Sequence, residues 1–173
     1  MYCYCLYCRT AAAKNVARDA ERAFGCRAIS PKQVQHTRRN RKPVDIVRDL
    51  LPGYVFLYAE EPLDISLVWR MDGVVRVLRN PGDRTSAKTY ELRGADEAFA
   101  MMLYERDGAI GKTEVFEEGQ TIRLRETAFR GLETKILRVD RRNRRMQIEI
   151  PFANQVLQTW VEFEVVTGSI LEQ

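Results

Sequence analysis

The residues with the most chemical potential in this chain stand at its start, MYCYCLYCRT. Cys3, Cys5 and Cys8 are close-set, Cys26 is the remaining cysteine, and His36 is the single histidine. A structural zinc site takes about four such ligands, usually in paired C-x2-4-C knuckles. Here the spacing is C-x-C-x2-C, the fourth cysteine is remote, and there is no second knuckle. The interleaved Tyr2, Tyr4, Leu6 and Tyr7 favour a strand. In a strand, Cys3, Cys5 and Tyr7 share one face, and Tyr4, Leu6 and Cys8 share the other. Cysteines divided in that way cannot converge on one ion, and free cysteine packs well as a small hydrophobe. The expectation is a core strand without metal, with metal binding and redox chemistry as the minor alternatives. A disulfide is disfavoured in a reducing compartment.

Enzyme chemistry fails on inventory. The sequence has one histidine, no G-x-G-x-x-G, no P-loop and no nucleophile elbow. Its acids form no pair that can be assigned to a cleft. The expectation is a protein with no catalytic residues and no cofactor. Arginine is abundant and unevenly placed. Lys32, Arg38, Arg39, Arg41, Lys42 and Arg48 face only Asp45 in the same stretch. Later, Arg123, Arg125, Arg130, Lys135, Arg138, Arg141, Arg142, Arg144 and Arg145 outnumber Glu126, Glu133 and Asp140. Such clusters suit either solvated loops or a polyanion partner, and two of them in a short chain favour nucleic acid. Net charge is only +4, so the distribution carries this argument.

The elements that must position these groups follow from periodicity. Thr10 ends the first strand and can cap a helix over 11–24, where Ala12, Val16, Ala20 and Phe24 form one stripe and Gly25 stops it. CRAISPKQVQ reads as extended, and HTRRNRKPV reads as a long loop or hairpin tip. Tyr54 to Tyr58 is an unbroken apolar run, as in a central strand. Asp64 can cap a short helix carrying Ile65, Val68 and Trp69. A strand over 74–80, a loop over 81–89 and a helix over 95–106 complete a β-α-β-β-α-β order plus an extra helix. That is the split βαβ, or ferredoxin-like, arrangement. GAIGKTEV reads as a linker. Beyond it the pattern is short strands with turns at Phe129-Arg130-Gly131 and Asp140-Arg141-Arg142-Asn143, which predicts a small antiparallel barrel. No apolar run approaches the ~18–20 residues of a membrane span, and no signal peptide is evident. A cytoplasmic monomer with no membrane contact is expected.

Two stretches now carry a resemblance. Glu118 to Leu124, Phe129-Arg130-Gly131-Leu132-Glu133 and Lys135 to Asp140 resemble a KOW motif of SH3-like barrels. The Tyr4 strand ending in Arg9-Thr10, Pro31-Lys32, Leu51-Pro52-Gly53-Tyr54-Val55-Phe56 and Asp72 to Leu78 before Pro81-Gly82 resemble the NGN domain of NusG-type transcription factors. The implied division is NGN over 1–107, linker over 108–114 and KOW over 115–173, an α+β chain. Within that family the sequence most resembles the LoaP-type antiterminators. It departs at Cys3 and Leu51, where Trp and Phe are usual, and at Thr127-Ala128, where Gly-Pro is common.

The resemblance implies docking of the NGN domain on the clamp helices of bacterial RNA polymerase, suppressing pausing and termination. It carries this role to Tyr4, Tyr7, Leu51, Pro52, Gly53, Tyr54 and Phe56, and to Asp64, Ser66 and Trp69 on the side facing the opposite polymerase module. Lys32, Arg38, Arg39, Arg41 and Lys42 are expected to contact DNA. Phe129, Arg130, Lys135, Arg138, Arg141, Arg142, Arg144 and Arg145 are expected to hold a nascent leader RNA hairpin. The alternatives are a general NusG coupled to a ribosomal protein or termination factor, and a stand-alone RNA-binding protein.

Overall fold

The computed structural model describes residues 1–39, 42–79, 90–118, 121–124, 134–153 and 155–166. β1 (Tyr2–Cys8) leads through a 3-10 turn (Thr10–Ala12) into α1 (Ala13–Phe24). β2 (Arg27–Ile29), β3 (Lys32–Arg39), β4 (Lys42–Asp49) and β5 (Tyr54–Ala59) follow, then α2 (Ile65–Trp69), β6 (Val74–Val77) and α3 (Ala95–Glu105). The C-terminal part holds β7 (Ala109–Ile110), β8 (Thr113–Glu118), β9 (Thr121–Leu124), β10 (Lys135–Asp140), β11 (Arg145–Phe152) and β12 (Gln155–Val165).

The first sheet has the order β2-β5-β1-β6, with every neighbouring pair antiparallel. β1 lies inside it, with Cys5 opposite Phe56 and Leu6 opposite both Val55 and Val77. Alternation divides its side chains between two cores. Tyr4, Leu6 and Cys8 pack with Ala13, Val16 and Ala20 of α1 and with Ile65 and Val68 of α2. Cys3 and Cys5 belong to the core that holds Phe56, Tyr58, Phe99 and Leu103. The cysteines of β1 are thus split as the strand reading requires. Burial pushes the Cys3 and Cys8 thiols up to about 11 and Cys5 well above its ordinary value, so they stay protonated at neutral pH.

The basic stretch read as a long loop or hairpin tip is the far end of a hairpin, and most of it is strand rather than loop. β3 and β4 pair from Lys32 opposite Asp49 to Arg39 opposite Lys42. Pro43 is accommodated because β4 is the edge of a sheet ordered β4-β3-β7. Thr10 is not the cap: it opens the 3-10 turn, whose N-cap is Arg9, and α1 begins after Ala12, neither cap making a side-chain hydrogen bond. The segment read as a linker is itself paired, with Ala109 and Ile110 running parallel to Lys32 and Gln33.

The last sheet has the order β10-β11-β12-β8-β9. An antiparallel barrel was the expectation; the sheet is mixed, because β12 runs parallel to β8, with Phe163 beside Thr113 and Val165 beside Val115. Length makes the contact possible. The first eight residues of β12 pair with β11, and its end reaches past that strand to β8. In β11, Met146, Ile148, Ile150 and Phe152 alternate inward, as a one-sided sheet requires. The turn at Phe129–Leu132 and the loop 81–89 lie outside the described residues. No helix among the described residues is long and apolar enough to cross a membrane.

Candidate functional site

The odd-numbered side chains of β1 and the even-numbered ones of β5 make one aromatic face: Cys3, Cys5 and Tyr7 beside Tyr54, Phe56 and Tyr58. α3 covers part of it. The C-terminal sheet covers much of the rest, so residues from both ends of the chain share one apolar core. Its centre is a three-ring cluster. Phe56 of β5 lies 6.0 Å from Phe99 of α3 and 5.6 Å from Phe152 of β11. Phe99 and Phe152 are 5.7 Å apart. All three pairs meet edge to face, an arrangement worth about 0.5–1.5 kcal/mol per pair beyond burial.

A polar rim surrounds this centre and links the two sheets. Thr159 Oγ1 donates to the carbonyl of Leu50 at 2.7 Å. Gln155 Nε2 donates to Tyr54 Oη at 3.2 Å, and Gln155 Oε1 accepts from Arg76 Nη2 at 2.6 Å. Arg76 also lies over the Tyr7 ring, 5.7 Å from its centroid, and that ring stands 5.1 Å from Tyr54. The backbone N–H of Ala153 donates to Asp96 Oδ2 at 3.0 Å. Asp96 is half-buried; desolvation pushes its pKa up, and the Ala153 bond only partly opposes this.

Of the expected polymerase-facing residues, the structure brings Tyr7, Leu51, Tyr54 and Phe56 into this core. Tyr4 is on the opposite face, its hydroxyl accepting from the Leu63 N–H at 3.2 Å. Pro52 is exposed and Gly53 buried in the turn before β5. Asp64 and Ser66 are exposed at the start of α2, where Asp64 Oδ1 accepts from Ser66 N at 2.9 Å and Ser66 Oγ at 2.7 Å. Those bonds hold the Asp64 carboxyl below its usual range. Trp69 is 41% exposed and lines a cleft of about 360 Å³ with Arg76, Arg79, Ala153 and Gln155.

The basic residues fall in two places. Lys32 is ion-paired with Asp49 across the β3–β4 hairpin. Arg38 and Arg39 end β3 and Lys42 begins β4; their side chains, and all of Arg41, lie outside the described part. Lys135 and Arg138 are exposed on β10, and Arg141, Arg142 and Arg144 are exposed in the β10–β11 turn. That turn is held by Asp140, which accepts from Asn143 N and Nδ2. Arg145 is partly buried at the start of β11, and Phe129 and Arg130 lie outside the described residues. Sequence reasoning missed Arg76, Asp96, Phe152, Gln155 and Thr159. Phe152 closes the alternation of β11, and that regularity was the one signal available. The polar partners left none, because they act across sheets distant in sequence.

Taken together, the fold defines a class: an α+β chain whose helix-backed antiparallel sheet carries an aromatic face closed by a second, mixed sheet. Within that class the chain is similar to a solved structure of NusG from Thermotoga maritima concerned with its domain interaction. The two share 12% identity over 93% of each chain, with a TM-score of 0.50. A match to an MjSpt4:Spt5 complex has 16% identity over 94% of this chain and 99% of that one, but its TM-score of 0.28 is too loose to bear on the fold. No family model and no curated protein matches the sequence. The likeness is one of fold: the chain has a NusG-like fold.

Proposed function

We propose that the chain is a bacterial transcription elongation factor of the NusG type. Its N-terminal sheet docks on the clamp helices of RNA polymerase through the aromatic face, suppressing pausing and termination. The observation that carries this reading is the face itself: on a NusG-like fold, Tyr7, Leu51, Tyr54 and Phe56 form an apolar, aromatic surface of the kind that receives an amphipathic helix pair. In this state the chain's own C-terminal sheet occupies that surface. Docking on polymerase therefore requires the sheets to part, and the factor rests in a closed form in the cytoplasm. The exposed Arg141, Arg142 and Arg144 supply a cationic edge for a nascent leader RNA hairpin, the recruiting signal of a LoaP-type antiterminator.

The stand-alone RNA-binding alternative is disfavoured by the same face. An RNA-reading sheet of that kind carries an Arg/Lys-Gly-Phe-type motif with its aromatics, whereas the run from Tyr54 to Tyr58 carries none. A single-round transcription assay tests the proposal. On a template with a pause site, the protein should shorten pausing, and more so when its own leader is transcribed upstream. Unchanged pausing on both templates contradicts it. Equal shortening on both leaves a general NusG without a leader signal.

A further inference from the structure

Trp160 is not part of the shared core. It projects from the outer face of β12 and is 40% exposed, an unusual position for an indole. The Arg145 guanidinium lies 6.0 Å from the ring centroid. Both residues line a cleft of about 370 Å³ at the junction of the two sheets, with Gln158 and Thr159 from β12, Arg48, Asp49 and Gln33 from the β3–β4 hairpin, and Pro52. The only acid in that lining is Asp49, which is already paired with Lys32. Three further acids lie near: Glu149, which accepts from Gln158 Nε2, and Glu162 and Asp140, which stand opposite Arg145 in register on its two neighbouring strands. The lining itself holds two guanidinium groups, Arg48 and Arg145, against the one carboxylate of Asp49. Arg145 Nε is buried with no hydrogen-bond partner among the described residues.

We propose that Trp160 is a stacking platform for an unpaired RNA base, with Arg145 and Arg48 holding the flanking phosphates. An exposed planar ring beside two guanidinium groups matches a ligand that alternates flat aromatic and anionic parts, which is single-stranded nucleic acid. The amide of Gln158, in the same lining, suits a ribose 2′-hydroxyl. Because Arg48 comes from the β4-β3-β7 sheet and Trp160 from the C-terminal sheet, this site is assembled only where those two sheets meet, as they do in the closed chain. RNA bound there contacts the factor before it opens. The proposal rests on the reading of RNA as the recruiting signal and names the residues that receive its unpaired part.

The chain has two tryptophans, Trp69 and Trp160, so W69F makes Trp160 the sole indole. The full-length W69F protein is titrated with single-stranded oligouridine and oligoadenosine RNA, the corresponding DNA, and inorganic polyphosphate. RNA should quench the indole and polyphosphate should not. By the anisotropy of end-labelled RNA, Trp160→Ala should weaken RNA binding about 5- to 150-fold, and Trp160→Phe should restore most of it. Arg48→Ala should lower the magnitude of the log-log salt slope by about 0.7. Equal RNA affinity in Trp160→Ala, or equal quenching by polyphosphate, overturns the platform while leaving RNA recruitment intact. DNA binding as tight as RNA overturns the assignment to RNA. Failure of the wild-type chain to bind any RNA overturns both this inference and RNA recruitment, but not polymerase docking.

Discussion

Gly53 shows how little freedom single residues have around the aromatic face. Its φ is +85°, and a Cβ there would meet the Cys8 carbonyl oxygen at 2.8 Å, while its own carbonyl accepts the Cys8 N–H at 2.7 Å. Gly53→Ala should therefore cost about 2 kcal/mol or more, read as a lower thermal midpoint. An unchanged midpoint would show that the turn can relax. Asp96 makes a second residue-scale prediction. Its pKa is raised in the fold, so its contribution to stability is fully present below the ordinary carboxylate range and is lost as pH rises through the raised value. Asp96→Asn keeps an amide oxygen for the Ala153 N–H and removes the buried charge. The stability of the variant relative to wild type should rise with pH through the acid range. Asp64 and Asp140 shift the other way but are common to both proteins and cancel in the comparison. A difference that stays flat with pH contradicts this account of Asp96.

At the scale of elements, the strongest patterns were legible. The alternation of β1 correctly placed its cysteines on two faces, and the apolar run of β5 correctly marked a central strand. β4 was not legible because its apolar side chains have no burying partner to make them conspicuous. Val44, Ile46 and Val47 remain 38%, 37% and 61% exposed, and Pro43 adds a breaker at the start. The parallel β8–β12 pairing was hidden for another reason: which strand the overhanging end of β12 meets, and in which direction, follows from the path of the chain, which periodicity does not encode. Within the stretch paired to β11, Thr159 reaches Leu50. Thr159→Val deletes one hydrogen bond between the sheets and keeps the side chain's shape. It should loosen the closed form by about 1 kcal/mol, or roughly fivefold in the closed-to-open ratio. Faster amide hydrogen exchange in β5 and β11 would register this; unchanged exchange would mean the seam is held by its aromatic centre alone.

For the molecule as a whole, the site was only half legible. Tyr7, Leu51, Tyr54 and Phe56 could be singled out from the sequence, but the surface that meets them could not. It depends on Phe152, Gln155 and Thr159, about a hundred residues away along the chain. Closure couples two activities: a face covered internally is unavailable to a partner, so apparent affinity falls with the fraction of open chain. The most direct test measures the affinity of the full-length protein for the isolated clamp helices of RNA polymerase, beside the Thr159→Val/Gln155→Ala variant. Measurable binding by the wild type is expected, and binding at least about fivefold tighter by the variant, since each substitution removes a seam contact. Seam variants that bind no better than wild type, or a wild type that does not bind at all, would contradict it.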